Sequence, residues 1–287
     1  MAPAGRDHPF NSEDAIVLAA MCFQANQLFE VGKLTLPKGF ELRHTVCALA
    51  GVEAPTAEVF GFLAESSDAI VVAFRGTETF KDNESDQDLF QVIYPFVRNA
   101  GKTQRGFTCV YQSMRDELIR MLIHLPTTKR LMLTGYSLGG ALAPLAALDI
   151  AVNTGFDDPI MYSYGGPRFA DPTFARRYDC TVRNSARVFN VHDVIPTLPD
   201  RAYLPPFTDE GLYYKHVKAS HPVSFQLNSL ARNHYINCYF KSVSENDPDF
   251  ARRFCRGNPG FCPDAEICVP FIGTCSENRA DGVDEGD

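Results

Sequence analysis

The sequence lacks an apolar run long enough to cross a bilayer, and it lacks long runs of basic residues. Its longest apolar windows, such as AIVLAAMCF from Ala15, are shorter than the roughly 20 residues of a membrane-spanning helix. Lys and Arg never occur more than two in a row, and the net charge is −8 at pH 7. Binding to nucleic acid requires a basic face that neutralises phosphates. We therefore predict neither a transmembrane segment nor a nucleic-acid partner.

The N-terminus also lacks the apolar core of a secretion signal. The stretch MAPAGRDHPFNSED contains one Arg and no apolar run, and the apolar residues behind it are interrupted by Gln24, Asn26 and Gln27. The sequence NSED from Asn11 is instead typical of a helix start, and we expect an amphipathic helix reaching about Val31. These features indicate either an intracellular protein or a mature, already processed secreted one.

No Cys-x-x-Cys pair occurs among the nine cysteines, so a zinc site is not favoured. Five cysteines lie among apolar residues and are typical of buried thiols: Cys22, Cys47, Cys109, Cys180 and Cys238. The other four lie close together in a segment rich in Pro and Gly: Cys255, Cys262, Cys268 and Cys275. We expect this segment to be stapled by disulfide bonds, which would require an oxidising compartment. A loosely ordered tail with free thiols is the alternative.

Strand-like and helix-like segments alternate through the middle of the chain. Continuous β-branched or apolar runs predict strands at 68–76, 130–136, 159–168 and 185–193. Helical spacing of apolar residues predicts helices at 109–125, 138–152 and 173–178. With 287 residues and 45% hydrophobic content, the chain can bury one sizeable core. The alternation predicts an α/β fold whose mostly parallel sheet is covered by helices on both faces.

A serine lies between two glycines at one strand-to-helix junction. Gly135-Tyr136-Ser137-Leu138-Gly139 matches the pattern Gly-x-Ser-x-Gly, in which a sharp turn projects the serine hydroxyl above the sheet edge. We expect Gly135 and Gly139 to remove side chains that would collide in that turn. The helix N-terminus beneath the serine offers free amides to a developing oxyanion. We therefore predict that Ser137 is a nucleophile.

A serine nucleophile needs a base that takes its proton and an acid that orients the base. In an α/β-hydrolase both follow the serine in the chain. Asp193 ends a predicted strand, at the carboxyl edge where ligand sites collect in such sheets. His216, His221 and His234 follow Asp193, and the residue pattern alone leaves the choice among them open. His192 adjoins the acid, but neighbouring side chains on a strand point to opposite faces, so we expect no pairing between them.

The sequence resembles the class 3 lipases, the fungal-type triacylglycerol lipase family with an α/β-hydrolase fold. Five blocks occur in the order of that family: VVAFRGTET, LTGYSLGGALAPLAALDI, YSYGGPRFAD, VFNVHDVIPTLP and NHYINCYF. They resemble, in turn, the oxyanion strand, the nucleophile block, the strand that follows it, the acid block and the histidine block. The resemblance implies a hydrolase domain over 13–243, preceded by an arm at 1–12 and followed by a Cys-rich, acidic tail at 244–287. We expect the acidic end of this tail to be disordered.

The resemblance implies a carboxylic-ester hydrolase that cleaves acylglycerols through an acyl-enzyme intermediate. Ser137 would be the nucleophile, Asp193 the orienting acid and His234 the base. The amides of Thr77 and Leu138 would bind the oxyanion, with the Thr77 hydroxyl as an additional donor. The resemblance implies no cofactor and no metal, an ester or lipid substrate, transient contact with a lipid surface, and a monomer. Phospholipase A1 or feruloyl esterase activity uses the same residues, and a catalytically inactive lipid-binding relative or a serine peptidase are further alternatives.

Three stretches depart from the pattern of the family. Tyr136 stands where the family usually has His, and we expect it to shape the floor of the acyl pocket without touching the triad. The sequence QRGF from Gln104 lacks the His that often precedes Gly-Phe. Residues 78–90 correspond to the lid of the family, yet Phe80 is the one large apolar residue between Thr79 and Asp88. An interfacial lid needs an apolar helix face. The segment is therefore either a weak lid or an ordinary loop, and we expect dissolved esters to be preferred over emulsions.

Overall fold

A computed structural model of the chain describes residues 10–50, 56–77, 89–205 and 209–270. Most of the predicted lid segment, residue Cys275 and the acidic C-terminal end lie outside the described residues. Across the ranges described, no helix combines the length and the apolar character needed to cross a membrane.

The first helix, α1 (Ser12–Val31), begins and ends where the sequence predicts. The side chain of Asn11 accepts a hydrogen bond of 2.8 Å from the amide of Asp14, which satisfies one of the free amides of the first turn. The helix stops at Gly32, whose φ of 66° lies in the left-handed region favoured by glycine. The first half of the helix is almost completely buried because it packs across one face of the central sheet.

The central sheet has seven strands, and two separate two-stranded ribbons accompany it. In chain order the strands are β1 (Glu41–Ala50), β2 (Thr56–Glu65), β3 (Ala69–Phe74), β4 (Gln91–Ile93), β5 (Lys102–Gln104), β6 (Arg130–Tyr136), β7 (Ile160–Tyr164), β8 (Asn184–Asn190), β9 (Ala202–Tyr203), β10 (Leu212–Tyr213) and β11 (Ser220–Val223). The order in the sheet is β1-β2-β3-β6-β7-β8-β11. Within this sheet, β3, β6, β7, β8 and β11 pair in parallel. The strand β2 pairs antiparallel with both of its neighbours, β1 and β3. The predicted, mostly parallel sheet is therefore confirmed.

The described residues contain five further helices: α2 (Arg105–Leu122), α3 (Gly139–Asn153), α4 (Pro172–Thr181), α5 (Ile236–Ser244) and α6 (Pro248–Gly257). Of these, α2, α3 and α5 pack against the central sheet. Successive side chains of a strand point to opposite faces, and β3 shows the consequence. Ile70 and Val72 join the apolar cluster that includes residues of α2 and α3, while Val71 and Ala73 join the cluster of α1 and α5. Both faces are thus buried, which explains why this strand is an uninterrupted apolar run.

The disulfide bonds differ in part from the prediction. Cys255 pairs with Cys262 inside the tail, as expected for that segment. Cys268 pairs with Cys238 of α5, so the prediction that Cys238 is a free buried thiol was wrong. This second bond attaches the tail covalently to the body of the fold, which no spacing within the tail could reveal.

The free cysteines also divide into two kinds. Cys22 is buried in α1, as predicted, and burial raises the pKa of its thiol to about 12. Cys47, Cys109 and Cys180 are exposed, so the prediction of buried thiols was wrong for these three. Each lies next to apolar residues in the sequence but on the outer side of its strand or helix.

Candidate active site

Ser137 lies in the turn between β6 and α3, and its backbone is held in an uncommon conformation. Its φ of 56° is in the left-handed region, which costs free energy for a residue with a side chain. The Ser137 amide donates a 3.0 Å hydrogen bond to the carbonyl of Tyr164 on β7, and the Gly140 amide donates 2.9 Å to the Ser137 carbonyl. The turn is therefore held from both sides, as in the turn predicted from the Gly-x-Ser-x-Gly pattern.

The two glycines of this turn permit an approach that no other residue would allow. A Cβ atom added to Gly135 would lie 2.0 Å from the carbonyl oxygen of Gly139. One added to Gly139 would lie 2.5 Å from the carbonyl oxygen of Phe74 on β3. Strand, turn and helix can pack this closely only without these side chains, as the sequence predicted.

The structure brings Ser137, His234 and Asp193 together. His234 ends a short 3₁₀ turn (Arg232–His234) just before α5, and its Nε2 lies 2.8 Å from Ser137 Oγ. Its Nδ1 lies 2.5 Å from Asp193 Oδ2. A carboxylate can only accept, so Nδ1 carries a proton, and with this tautomer Nε2 can accept from the serine hydroxyl. The three side chains are almost fully buried, with exposed fractions of 1%, 5% and 2% respectively.

Asp193 receives two further hydrogen bonds that hold it in place. The Tyr239 hydroxyl donates to the same Oδ2 atom at 2.6 Å, and the amide of Ile195 donates to Oδ1 at 3.0 Å. Tyr239 lies on α5 and is fully buried. Burial and the charge of Asp193 raise the pKa of Tyr239 well above its usual value, so its hydroxyl stays protonated. The sequence reasoning missed Tyr239, although it lies inside the histidine block.

Two buried asparagines connect the loop that carries Asp193 to the loop that carries His234. Asn190 donates 2.9 Å hydrogen bonds to the carbonyls of Asn233 and Phe225. The Asn233 side chain accepts from the Leu227 amide at 2.7 Å and donates to the His192 carbonyl at 3.2 Å. These bonds explain how residues 41 positions apart in the chain meet within hydrogen-bond distance.

Tyr136 contacts His234 directly, so the expectation that it would not touch the three predicted triad residues was wrong. Its hydroxyl donates to the backbone carbonyl of His234 at 2.6 Å, and the two ring centroids are 4.9 Å apart. Burial is the main cause that raises the pKa of Tyr136 well above its usual value. Tyr136 also lines the cavity at the site, as expected, and its ring lies against the imidazole of His234.

The other candidate histidines lie elsewhere. The Nε2 of His216 is 2.7 Å from the carbonyl oxygen of Pro196, and burial, aided by the charge of Arg187, lowers its pKa to about 3. His221 lies on β11, with its ring stacked on Phe10 at a centroid distance of 3.7 Å. His192 is exposed at the surface, and its Nε2 lies 3.3 Å from the Ser224 hydroxyl. Only His234 lies between the serine and the acid.

The segment that precedes Thr77 is held by a buried arginine. Arg75 donates to the carbonyls of Val59 and Gly76 at 2.6 and 2.8 Å, and it pairs with Glu58 at 2.6 Å. Burial lowers the pKa of Arg75, and Glu58 opposes this shift. Thr77 follows directly and lines the cavity beside Ser137. On the other side of the serine, Leu138 precedes the first turn of α3 with helical φ and ψ.

A cavity of about 280 Å³ opens onto Ser137 and His234. Its apolar lining consists of Phe23, Phe29, Tyr136, Tyr235, Ile195, Ile236 and Ile267. Its polar lining consists of Asn26, Gln27, Glu30, Thr77 and Asn237. Such a mixed surface suits a molecule that has both an apolar chain and a polar group. Within the described ranges, no cluster of three or more His, Cys, Asp or Glu side chains is arranged to hold a metal ion.

Comparison with known proteins agrees with this geometry. A sequence profile described as "Lipase (class 3)" matches residues 71–203. A lipase of Rhizomucor miehei is 32% identical over 146 residues, covering 48% of this chain and 40% of that protein. The secreted mono- and diacylglycerol lipase A of Penicillium cyclopium is 27% identical over 191 residues, covering 63% and 62%. A phospholipase A1 of Oryza sativa subsp. indica is 28% identical over 258 residues, covering 73% and 59%.

The chain thus covers less than two thirds of the length of each of these relatives. In three dimensions, the solved structure of the Rhizomucor miehei triacylglyceride lipase superposes with a TM-score of 0.57 at 22% identity. That match covers 74% of this chain and 79% of the other. At such a low identity the superposition shows the α/β-hydrolase fold alone. Over residues 71–203, which are fewer than half of the 287 residues, the chain is similar to the class 3 lipases.

Proposed function

We propose that this protein is a serine carboxylic-ester hydrolase that cleaves acylglycerol-type esters, with Ser137 as nucleophile, His234 as base and Asp193 as orienting acid. One observation carries the proposal. An unbroken chain of short hydrogen bonds runs from Asp193 through His234 to Ser137, and it ends at a cavity with apolar and polar walls. This is the arrangement that activates a serine hydroxyl for attack on a carbonyl.

In the acylation step, Ser137 Oγ attacks the carbonyl carbon of the ester while His234 Nε2 takes its proton. The carbonyl oxygen becomes an oxyanion, for which the amides of Thr77 and Leu138 are the proposed donors. The protonated imidazole then gives its proton to the leaving alcohol oxygen as the carbon–oxygen bond breaks. Asp193 accepts from Nδ1 throughout and stabilises the imidazolium.

In the deacylation step, water takes the place of the alcohol. His234 removes one proton from the water as its oxygen attacks the acyl-enzyme carbonyl. The imidazole then returns that proton to Ser137 Oγ, and the carboxylic acid leaves. The same base therefore serves both halves of the reaction, and the cycle needs no group beyond the chain and water.

Neutral acylglycerols are the substrate class that the cavity favours among the alternatives. Phe23, Phe29 and Ile267 provide apolar surface for an acyl chain, and Asn26 and Gln27 provide polar groups for the glycerol. The relatives named as lipase and as mono- and diacylglycerol lipase support the same choice. Phospholipase A1 activity, the name of the rice relative, is the second candidate.

We also propose that the protein acts as a monomer, because one chain supplies the three triad side chains and the cavity. Sedimentation of the active protein at several concentrations tests this directly. Activity that appears only with a dimer would contradict it.

The decisive experiment combines covalent labelling with a substrate panel. A fluorophosphonate probe should label the wild-type protein at Ser137, as located by peptide mapping, and should not label the Ser137→Ala variant. Hydrolysis of p-nitrophenyl esters should exceed hydrolysis of emulsified triolein and of phosphatidylcholine. A catalytically inactive relative would show neither labelling nor turnover. Faster cleavage of phosphatidylcholine would favour the phospholipase.

A further inference from the structure

Residues 258–270, here called the C-terminal strap, follow α6, and one of them, Ile267, lines the cavity. The first part of the strap is attached to α1 and to the segment after it. Gln24 of α1 donates to the carbonyls of Gly260 at 3.0 Å and Phe261 at 2.7 Å, and Gln24 itself is buried. The Asn258 side chain accepts from the Lys38 amide at 2.7 Å.

The second part of the strap is attached to α5, close to the triad. Asn237, three residues after His234, donates to the Asp264 carbonyl at 2.8 Å. The next residue, Cys238, forms the disulfide bond with Cys268. These two attachments lie on either side of Ile267, and they leave its backbone little freedom.

Ile267 therefore occupies a defined place in the cavity wall. It lines the same cavity as Ser137 and His234, and Phe23 and Phe29 of α1 line it too. Its side chain is 43% exposed, so it borders the open part of the cavity rather than the protein core. A partly exposed side chain of this kind can be replaced without leaving a hole in the fold.

We propose that Ile267 is a specificity-determining residue that limits the acyl chain, and that the Cys238–Cys268 bond positions it. The inference rests on the proposed function, because it assigns the acyl subsite of that same ester hydrolase. In this arrangement, the strap limits which esters fit beside Ser137, while residues at the edge of the sheet carry out the reaction. The branched side chain of Ile267 narrows the cavity, and its size sets the longest acyl chain that fits.

The first test compares three variants on two esters. The measured quantity is the ratio of kcat/KM for p-nitrophenyl octanoate to that for p-nitrophenyl acetate. Ile267→Ala should raise this ratio and Ile267→Trp should lower it, each by about 10-fold, as expected for a pocket that gains or loses a few carbon positions. Val269→Ala is the matched control, since Val269 lies on the same strap, is 53% exposed and does not line the cavity. Its ratio should equal that of the wild type.

The second test concerns the disulfide bond. Cys238→Ala/Cys268→Ala should raise the ratio in the same direction as Ile267→Ala, because the strap loses its covalent attachment beside Ile267. Cys255→Ala/Cys262→Ala removes the other bond, which lies away from the cavity, and should leave the ratio unchanged. Adding Ile267→Ala to the first pair should produce less than the product of the two separate effects, as expected for coupled residues.

A binding measurement separates this inference from the proposed function. On the Ser137→Ala background, the Kd of 1-O-octylglycerol, an ether that cannot be hydrolysed, reports on the cavity without chemistry. Ile267→Trp should weaken this binding by about 10-fold, whereas Val269→Trp should not. If esters are cleaved but Ile267 variants change neither the ratio nor the Kd, the inference is overturned while the proposed function stands. If no ester is cleaved but Ile267→Trp weakens binding, the function fails and the assigned subsite stands.

Discussion

The two walls of the cavity are built by different means. The wall that carries Ser137, Asp193 and His234 is formed at the carboxyl ends of β6 and β8 and at the start of α5, and its side chains are at most 5% exposed. The opposite wall is formed by the end of α1 and by the strap, where Phe29 and Ile267 are 40% and 43% exposed. Buried hydrogen bonds hold the first wall. The strap in the second wall is held by a disulfide bond and by a few hydrogen bonds between side chains and the backbone.

The proposed function and the proposed role of Ile267 assign different tasks to the two walls. Proton transfer requires atoms placed within a few tenths of an ångström, which a rigid and buried scaffold provides. Selection among esters requires only a cavity of suitable size and shape, which partly exposed side chains can provide. Substitutions in the wall that carries Ser137 should therefore lower kcat for all esters alike. Substitutions in the strap should instead change the order of kcat/KM among short and long esters.

The largest effect should come from Ser137→Ala, which removes only the attacking oxygen. We expect kcat to fall by about 10⁴-fold or more, because triad members act as a unit. The factor should be the same for short and long p-nitrophenyl esters, and circular dichroism should show an unchanged fold. Near-normal turnover would mean that a different residue carries the reaction.

His234→Ala should produce a loss as large as that of Ser137→Ala, since the hydroxyl then has no base. The control is His221→Ala on β11, whose ring stacks on Phe10 and does not contact the triad. That variant should keep its kcat in the same ester assay. An active His234→Ala protein together with an inactive His221→Ala protein would show that the base was assigned wrongly.

Thr77→Val tests the proposed oxyanion site on the side of β3. If the Thr77 hydroxyl binds the oxyanion, kcat should fall by about 10-fold to 10³-fold, with a smaller change in KM. The loss should again be equal for short and long esters. An unchanged kcat would leave only the backbone amide in this role.

Tyr239→Phe should have a smaller effect, because it removes one of three donors to Asp193. We expect kcat to fall by about 10-fold, the usual scale for a hydrogen bond to a charged group. Tyr178→Phe is a suitable control, since Tyr178 is equally buried but lies on α4, outside the site. Equal losses in the two variants would point to a general effect of buried hydroxyls.

The smallest effect should be on stability, at His216, which plays no part in either wall. Burial lowers the pKa of His216 to about 3 in the folded protein, below the usual value near 6.5. The unfolded chain therefore binds more protons between these values, and the free energy of unfolding falls as the pH drops from about 6.5 towards 3. Glutamine does not titrate, so in the His216→Gln variant the free energy of unfolding should fall less between pH 7 and pH 4 than in the wild type, by on the order of 2 kcal/mol. Denaturant unfolding at both pH values measures this, and identical pH slopes would contradict it.

Much of the fold could be predicted because its signals are local. The buried parallel strands β3, β6 and β7 are continuous apolar runs, and α1 has a recognisable cap and a terminal glycine. The strands β1, β2 and β11 of the central sheet escaped prediction, because ELRHTVCALA and TAEVFGFLAE mix polar and apolar residues, and SHPV is short and contains proline. Of these, β1 and β11 lie at an edge of the sheet, where one side of the strand has no neighbour.

The chain by itself indicated the turn at Ser137, because a Gly-x-Ser-x-Gly pattern between a strand and a helix is typical of a sharp strand-to-helix turn. It also indicated that Asp193 lies at the same edge of the sheet, although β8 ends at Asn190 and Asp193 follows it in the loop. Only the tertiary structure decided that His234, rather than His216 or His221, lies beside Ser137 and that Tyr239 and Tyr136 support the triad. It alone paired Cys238 with Cys268 and so placed Ile267 in the cavity wall. These contacts join residues far apart in the chain, and packing, not local spacing, sets their distances.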